Sequence, residues 1–236
     1  MRVAVVSGKG GREYNDDSID KKNVDGIYCF AVADGLGESG KGKVASENAI
    51  NSVMDCFETN PMIQSYTMKK IFDDAQKNVI TQRIRLKSEI RTTLAVLLTD
   101  GDTAMWAHSG DSRIYRLRRN KIQEVTEDHS AAFKLFLRDK MSYSDIRTSP
   151  EKNKLLRMLG DADNYKPTIS KEISVDKKDA FLLCTDGFWE YITEDYIEYA
   201  FKKSSSASEC LKIMIDERQR AAPENSDNFS AIIVYI

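Results

Sequence analysis

Apolar residues follow two kinds of pattern along the chain, and each kind predicts a different element. Short apolar runs bounded by turn residues are typical of strands. They predict strands at 2–7, 27–33, 92–99, 103–110, 113–119, 121–126, 180–185 and 229–236. Apolar residues at helical spacing, such as Met68, Ile71, Phe72, Ala75 and Val79, predict helices. These helices span about 42–58, 66–88, 194–203 and 207–221, and a polar helical region spans about 130–160.

The order of these elements predicts the fold class. Strands follow one another in consecutive runs and helices lie between them in pairs, without the strict alternation that produces a parallel sheet. This order favours antiparallel sheets with segregated helices, which is an α+β fold. Turn residues predict hairpins at Asp100-Gly101 and at Asn120. No linker-like segment divides the chain, so residues 1–236 are predicted to form a single domain.

Composition and charge narrow the range of functions. Hydrophobic residues make up 41% of the chain, enough for a substantial core, and the net charge of −2 disfavours general nucleic-acid binding. The four cysteines are far apart, which indicates a reducing compartment and neither a disulfide framework nor a zinc site. The first residues do not form a signal peptide, and no window reaches membrane-spanning length. We therefore expect a cytoplasmic protein that does not bind membranes.

Aspartates recur at the ends of strongly apolar runs. Asp34 follows IYCFAVA, Asp186 follows AFLLCT and Asp227 precedes FSAIIVYI. Any one of these is explained as a turn residue, but their recurrence is not, because a buried carboxylate is costly without a cation or a metal ion. Further aspartates lie in NDDSID (15–20) and SGDSR (109–113). Mg²⁺ and Mn²⁺ prefer oxygen ligands, and two such ions can polarise a phosphoryl oxygen and activate water.

The glycine-rich segment 35–42 has a second interpretation. Its letters GLGESGKG come within one residue of the phosphate-binding loop G-x-x-x-x-G-K-[ST]. That loop needs Ser or Thr after its lysine, where this chain has Gly42. The order of elements also disfavours a nucleotide-binding α/β fold. A P-loop nucleotide hydrolase is therefore the weaker hypothesis, and Lys41 is expected to lie in solvent on the following helix.

Over essentially its whole length, the chain resembles the metal-dependent type 2C Ser/Thr protein phosphatases in their compact bacterial form. The segments that carry the resemblance occur in the family's order: GREYNDDS (11–18), VADGLGESGKGKVAS (32–46), RTTLAVLL (91–98), HSGDSRIYRL (108–117), TEDHS (126–130), LLCTDGFWEYI (182–192) and SDNFSAIIV (226–234). The resemblance implies a four-layer αββα sandwich of two antiparallel sheets flanked by helix pairs. It places the metal ions in a channel at one end of this sandwich.

The resemblance also implies a set of metal ligands for two Mn²⁺ or Mg²⁺ ions and a weaker third. Residue by residue, these ligands are Asp16, Asp17, Asp34, Gly35, Asp111, Asp186 and Asp227. Asp34 would bridge two ions with help from the Gly35 carbonyl, and Asp186 and Asp227 would hold the second ion. Asp16 takes the position of a glutamate that binds through water, and its shorter side chain leaves more room for water. Asp111, together with Asp186, corresponds to the third site.

Other positions carry over from the same resemblance. Arg12 matches a phosphate-binding arginine, although spacing alone makes it an ordinary surface residue. Residues 131–158 correspond to a variable flap beside the active site that bears on substrate choice. Many relatives have a histidine, proposed as the general acid, where this chain has Ser39 beside Glu38. His129 is interpreted as a structural hydrogen-bonding residue, so protonation of the leaving group would fall to a metal-bound water.

The function implied by the resemblance is hydrolysis of phosphoserine and phosphothreonine. A hydroxide bridging two metal ions would attack in line, with Arg12, Asp34 and Asp186 as the catalytic residues and no covalent intermediate. Substrates would be proteins phosphorylated by a bacterial Ser/Thr kinase, and the enzyme is expected to be a monomer. The alternative is a catalytically weak or inactive phosphopeptide-binding or scaffold protein on the same fold. The presence of Asp34, Asp186 and Asp227 argues against that alternative.

Overall fold

The computed structural model describes residues 1–236, except for the side chain of Ser39. Its strands are β1 (Arg2–Gly8), β2 (Asp17–Val24), β3 (Ile27–Leu36), β4 (Arg91–Thr92), β5 (Leu94–Thr99), β6 (Thr103–Ser109), β7 (Arg113–Arg118), β8 (Lys121–Val125), β9 (Thr168–Ile169), β10 (Ile173–Ser174), β11 (Asp179–Cys184) and β12 (Phe229–Tyr235). Its helices are α1 (Gly42–Thr59), α2 (Ser65–Leu86), α3 (Ala131–Phe136), α4 (Asp186–Trp189), α5 (Glu194–Lys203) and α6 (Ala207–Ala221). Short 3₁₀ turns lie at Glu38–Gly40 and Ser144–Thr148.

The strands form two antiparallel sheets that stack face to face. The first sheet has the order β1-β12-β11-β7-β8 and the second the order β10-β6-β5-β3-β2, with β4 beside β3 and β9 beside β6. Neighbouring strands run antiparallel in both sheets. The prediction of antiparallel sheets is therefore confirmed.

Helices cover the outer face of each sheet, which produces four layers. One apolar core lies between the second sheet and the pair α1 and α2. A second core lies between the first sheet and the helices α4, α5 and α6. A third fills the space between the two sheets. The αββα sandwich implied by the family resemblance is the observed fold.

The central strands appear in the sequence as continuous apolar runs because both of their faces are buried. In β3, Cys29 and Ala31 face the helices, whereas Phe30 and Val32 face the other sheet. Side chains alternate between the two faces of a strand, so burial on both faces removes the polar positions. For this reason the sequence pattern located β3, β5, β11 and β12 well.

Two sequence predictions were wrong. The strand β2 was missed because its sequence, DSIDKKNV, is largely polar; it is an edge strand of the second sheet and is exposed along much of its length. The predicted polar helical region at 130–160 contains only the short α3 and one 3₁₀ turn. Elsewhere in that region the backbone forms isolated turns, such as Lys152 N to Ser149 O at 3.2 Å, and a few bonds to distant residues, such as Leu156 N to His129 O at 2.7 Å.

Both predicted hairpins are confirmed. The Asp100 carboxylate accepts hydrogen bonds from the backbone N–H groups of Asp102 and Thr103, at 2.9 and 2.7 Å. Arg119 and Asn120 have φ of 54° and 64°, as the tight turn between β7 and β8 requires. The four cysteines are buried and free. Within the described chain, every helix is too short or too polar to cross a membrane.

Candidate active site

Strand ends from both sheets meet at one end of the sandwich. Asp34 lies in β3, two residues before this strand ends, and its cross-strand neighbour in β2 is Asp17. Asp186 begins α4 just after β11, and Asp227 precedes β12, the neighbour of β11. The expected position at a strand end therefore holds for Asp186 and Asp227, whereas Asp34 lies inside its strand.

A cavity of about 480 Å³ opens at this end of the sandwich. Most residues of the predicted site line it, namely Arg12, Asp16, Asp34, Gly35, Asp111, Asp186 and Asp227. Asp17 lies behind the cavity and is buried, and its Oδ2 accepts a hydrogen bond of 2.8 Å from Thr185 Oγ1. This bond joins the sheets, because Asp17 belongs to β2 and Thr185 follows β11. The fold thus collects residues from position 12 to position 228 of the sequence around one cavity.

The carboxylates of this site are close together and shielded from solvent, so their negative charges repel one another. Burial raises the pKa of Asp17 to about 7, and burial raises the pKa of Asp111 to about 7 as well. The pKa values of Asp34 and Asp186 rise well above their usual range, first through burial and then through repulsion by neighbouring carboxylates. Among the described residues that line the cavity, Arg12 is the sole cation. A multivalent cation would relieve this repulsion.

The donor atoms suit a hard divalent ion. The predicted ligands offer carboxylate and carbonyl oxygens, the donors that Mg²⁺ and Mn²⁺ prefer, and no histidine or cysteine among the described residues lines the cavity. Asp17 Oδ1 is buried and has no hydrogen-bond partner within the protein, although Thr185 holds the other oxygen of the same carboxylate. A buried carboxylate oxygen without a donor is costly, and a metal ion would satisfy it. The residues present therefore fit a divalent metal ion.

Protein donors hold two of the remaining carboxylates. Asp227 accepts two hydrogen bonds from the Arg12 guanidinium, at 3.0 and 2.7 Å. Asp16 accepts a bond of 3.0 Å from the Lys43 backbone N–H in the first turn of α1, where the helix dipole favours an anion. In this conformation of the side chains, no group of three or more described His, Cys, Asp and Glu residues is arranged so that it could hold a metal ion.

Two glycines bring the start of α1 against the end of β3. A side chain on Gly42 would collide with the Gly35 carbonyl oxygen and would also crowd the Asp16 carboxylate. A Ser or Thr at position 42, which a nucleotide-binding loop requires, therefore does not fit here. β3 also lies between antiparallel neighbours, and Lys41 is exposed as predicted. The P-loop interpretation of segment 35–42 is rejected on these grounds.

Comparison with known proteins decides the family. The family model described as "Protein phosphatase 2C" matches residues 10–220. The chain belongs to the protein phosphatase 2C family. It is 30% identical over 234 residues to the serine/threonine phosphatase stp of Listeria monocytogenes, covering 94% of this chain and 90% of that protein. The resemblance seen in the motifs, and the prediction of a metal-dependent phosphoprotein phosphatase, are thereby confirmed.

Solved structures of phosphatases share the fold. The serine/threonine phosphatase PstP/Ppp of Mycobacterium tuberculosis superposes with a TM-score of 0.87 at 23% identity, over 100% of this chain and 98% of that one. The phosphatase Stp1 of Staphylococcus aureus superposes with a TM-score of 0.84 at 22% identity, over 100% of this chain and 95% of that one. At this identity the superpositions establish the shared architecture.

Two residues that support the phosphatase site were not identified from the sequence. Asn228 Oδ1 accepts a bond from Asp16 N, and its Nδ2 donates to the carbonyls of Lys9 and Tyr14, each at 2.8 Å. It thus ties the loop that carries Arg12 to the start of β12. The buried Arg218 of α6 donates to the Asp227 carbonyl at 3.0 Å. The sequence did contain a signal for Asn228, since this residue follows Asp227 directly before an apolar run. Nothing in the spacing of residues around Arg218 distinguished it from other arginines.

A buried network positions Asp111 of this phosphatase. The Asp111 carbonyl accepts a hydrogen bond of 3.0 Å from Trp189 Nε1. The Arg113 guanidinium stacks 3.5 Å from the centroid of the Trp189 ring and donates two bonds to Asp128, at 2.8 and 2.7 Å. Arg147, from segment 131–158, donates to the Trp189 carbonyl. The network therefore connects that segment to the backbone of Asp111.

The histidines of this phosphatase lie outside the cavity. His108 and His129 stack with their ring centroids 4.4 Å apart. His129 Nδ1 accepts a bond from Gly110 N at 3.3 Å, and Nε2 donates to Thr168 Oγ1 at 2.9 Å. Burial lowers the pKa of His129 to about 3, which keeps the ring neutral. These contacts suit a structural role, and the Ser39 side chain lies outside the described part of the chain.

Proposed function

We propose that this cavity hydrolyses phosphoserine and phosphothreonine in proteins, with two Mn²⁺ or Mg²⁺ ions and a weaker third ion. The observation that carries the proposal is the meeting of Asp34, Asp186 and Asp227 with Arg12 around one cavity. The catalytic domain of PstP, 23% identical to this chain, has a structure in complex with two manganese ions, which supports the choice of metal. When bound, such ions supply Lewis-acid chemistry and lower the pKa of water, so that a nucleophile forms at neutral pH.

The ligand roles divide by position. Asp34 would be a ligand of both ions, the Gly35 carbonyl would help to hold one of them, and Asp17 would be a further ligand. Asp186 and Asp227 would hold the second ion, and Asp111 with Asp186 the third. Asp16 would contribute through water, because its carboxylate already accepts the Lys43 N–H at the start of α1.

Arg12 would bind the phosphate. Its side chain is 56% exposed and lines the cavity, and its guanidinium already makes a two-point contact with the Asp227 carboxylate. A phosphate also offers two oxygens that can accept a bidentate pair of hydrogen bonds, so it can replace Asp227 as the partner of Arg12. Arg12 would then neutralise the equatorial oxygens while Asp227 is free to bind metal, which couples substrate binding to metal binding.

The leaving group would take its proton from water. His108 and His129 lie outside the cavity and are held neutral by burial, so neither is placed to act as the acid. This assignment predicts a modest decrease in rate, rather than inactivity, compared with relatives that carry a histidine at the position of Ser39.

Metal removal and two substitutions test the proposal. Turnover of p-nitrophenyl phosphate should vanish in EDTA and return with Mn²⁺ or Mg²⁺. Asp34→Ala and Asp186→Ala should lower kcat/KM by about 1,000-fold or more, because each removes a ligand for the ions. Asp102→Ala, an exposed aspartate at the β5–β6 hairpin, is the matched control and should keep full activity. Undiminished turnover by either cavity variant would refute the assignment.

The alternative of an inactive phosphopeptide-binding protein predicts a different result. Such a protein would bind phosphopeptides without releasing phosphate, whatever metal is added. The carboxylates of the cavity are all present, so nothing favours this alternative over the enzyme. Release of phosphate that depends on Mn²⁺ would exclude it.

The cellular setting follows from the same proposal. We expect a monomer in the cytoplasm that acts on proteins phosphorylated by a bacterial Ser/Thr kinase. The four buried free cysteines and the bacterial origin of the similar phosphatases support this setting. Activity against lysate proteins phosphorylated by such a kinase, measured beside size-exclusion chromatography, would test both parts.

A further inference from the structure

The cavity that holds the carboxylates also has an apolar side. Tyr14, Leu36 and Leu155 line it, and we refer to these three residues as the apolar wall. They come from three separate segments: the loop between β1 and β2, the end of β3, and segment 131–158. Tyr14 is 52% exposed and Leu36 is 36% exposed. Large apolar side chains that converge in solvent at the edge of a polar site are typical of a binding surface.

Contacts of the backbone hold one member of the apolar wall, Tyr14, in place. The Tyr14 carbonyl accepts a bond of 2.8 Å from Asn228 Nδ2, so the backbone of Tyr14 is tied to the residue beside Asp227. The Tyr14 ring lies over Gly40, where an added Cβ atom would be 3.1 Å from the ring. Gly40 has φ of +75°, which favours glycine, so the turn leaves an open surface for the ring. The position of Tyr14 is therefore fixed before a substrate binds.

Leu36 lies within reach of the residue next to a bound phosphoresidue. It follows Asp34 by two positions in β3, and two residues of a strand span about 7 Å. Consecutive residues of an extended substrate peptide are separated by about 3.5 Å. A side chain one or two positions from the phosphorylated residue would therefore meet the apolar wall while the phosphate lies at Arg12 and the carboxylates.

The charges that line the cavity favour an apolar side chain at that position of the substrate. Glu13 lines the cavity with the aspartates, and Arg12 is the sole cation among the described lining residues. If Arg12 binds the phosphate, no lining cation remains for an acidic neighbour in the substrate. An apolar neighbour, in contrast, would bury part of Tyr14 and Leu36.

We propose that Tyr14, Leu36 and Leu155 form a subsite for an apolar side chain within two positions of the phosphorylated residue. This inference rests on the proposed phosphatase function and assigns it a substrate preference. The occupant is the substrate itself, because the apolar wall is continuous with the cavity that receives the phosphate.

Matched phosphopeptides test the subsite. Three phosphothreonine peptides would differ only in the flanking residues, which are Leu, Ser or Asp. With Mn²⁺, kcat/KM for the Leu peptide should exceed that for the Ser peptide by about 10-fold, the usual discrimination of an apolar pocket, and the Asp peptide should be poorest. Tyr14→Ser and Leu36→Ser should bring the Leu/Ser ratio towards one through a higher KM for the Leu peptide. Tyr14→Phe should keep the ratio.

An exposed tyrosine elsewhere supplies the control. Tyr66, 70% exposed on α2, can be replaced in Tyr66→Ser without touching the cavity, so the ratio should stay at its wild-type value. Melting temperatures in EDTA would show that each variant is folded. Equal kcat/KM for the Leu and Ser peptides in the wild type, or an unchanged ratio in both wall variants, would overturn the proposal.

Peptide affinity separates this inference from the phosphatase assignment. Calorimetry with Mn²⁺ and the phosphonate analogues of the same peptides reports binding without turnover. Tighter binding of the Leu peptide that is lost in Tyr14→Ser supports the subsite even if phosphate is never released. Equal affinities for the Leu and Ser peptides reject the subsite even if both peptides are hydrolysed.

Discussion

Two Arg–Asp pairs in this protein have nearly the same geometry and very different surroundings. Arg12 holds Asp227 with two bonds of 3.0 and 2.7 Å, and Arg113 holds Asp128 with two bonds of 2.8 and 2.7 Å. The side chains of the first pair are 56% and 37% exposed, whereas those of the second are 1% and 2% exposed. Geometry alone does not distinguish the pairs, and burial does.

Burial determines which pair can exchange partners. In the first pair, water can solvate either charge, so Arg12 and Asp227 can separate at little cost, as the proposed binding of a phosphate and a metal ion requires. In the second pair, separation would leave a charge uncompensated in the protein interior. The first pair is therefore suited to function and the second to holding Trp189 and the Asp111 backbone in place.

The largest expected effect is on the buried pair. Arg113→Met should lower the free energy of unfolding by about 3–5 kcal/mol, because Asp128 is left buried without its partner. Urea unfolding in EDTA would measure this loss. The double variant Arg113→Met/Asp128→Leu removes both charges and should regain most of the stability. A loss below about 1 kcal/mol in the single variant would show that the two pairs do not differ as argued.

The acidic member of the exposed pair comes next. Asp227→Asn should lower kcat/KM in Mn²⁺ by about 1,000-fold, which is about 4 kcal/mol of transition-state stabilisation, because a proposed metal ligand is lost. Its unfolding in EDTA should differ from the wild type by less than about 1 kcal/mol. Asp102→Asn at the β5–β6 hairpin is the control for both assays. Full activity of Asp227→Asn would remove Asp227 from the site.

The basic member of the exposed pair should affect activity without affecting stability. Arg12→Ala should lower kcat/KM by about 100-fold, since a charged donor to the phosphate is lost. Arg12→Lys should restore only part of it, because an ammonium group cannot make the two-point contact. Unfolding in EDTA should change by no more than about 0.5 kcal/mol. A stability loss like that of Arg113→Met would contradict the exchangeable character of this pair.

Burial should also affect a base that has no counterion, because it disfavours the charged form. His129, in the stacked histidine pair, tests this effect. Burial lowers the pKa of His129 to about 3, below the usual value near 6.5. Below pH 6.5 the unfolded chain binds a proton at His129 and the folded protein does not, so the contribution of His129 to stability is lost as pH falls and is constant above pH 6.5. Between pH 7.5 and pH 5.0 this amounts to about 2 kcal/mol. His129→Asn should lose less stability over this range, as measured by urea unfolding at the two pH values; an equal loss would place the titrating group elsewhere.

Much of the architecture was predictable because local patterns of apolar and polar residues determine it. The central strands are apolar throughout and α1 and α2 have clear helical spacing, so both kinds of element were located within a few residues. β2 was missed because an edge strand with one exposed side keeps polar residues. The helical prediction at 130–160 was wrong because the backbone there forms isolated turns and a few bonds to distant residues, such as His129, rather than a continuous helix.

By itself, the sequence determined the order of elements, the apolar core and the family motifs, including the aspartates of the candidate site. Only the tertiary structure decided how those aspartates meet and which partners they have. Arg12 and Asp227 are 215 positions apart, and Asp16 and Asn228 are 212 positions apart, so no local pattern could have paired them. The physical reason is that periodicity reports which face of an element is buried, whereas the partner and the exposure of a charged group depend on what the rest of the fold brings to it.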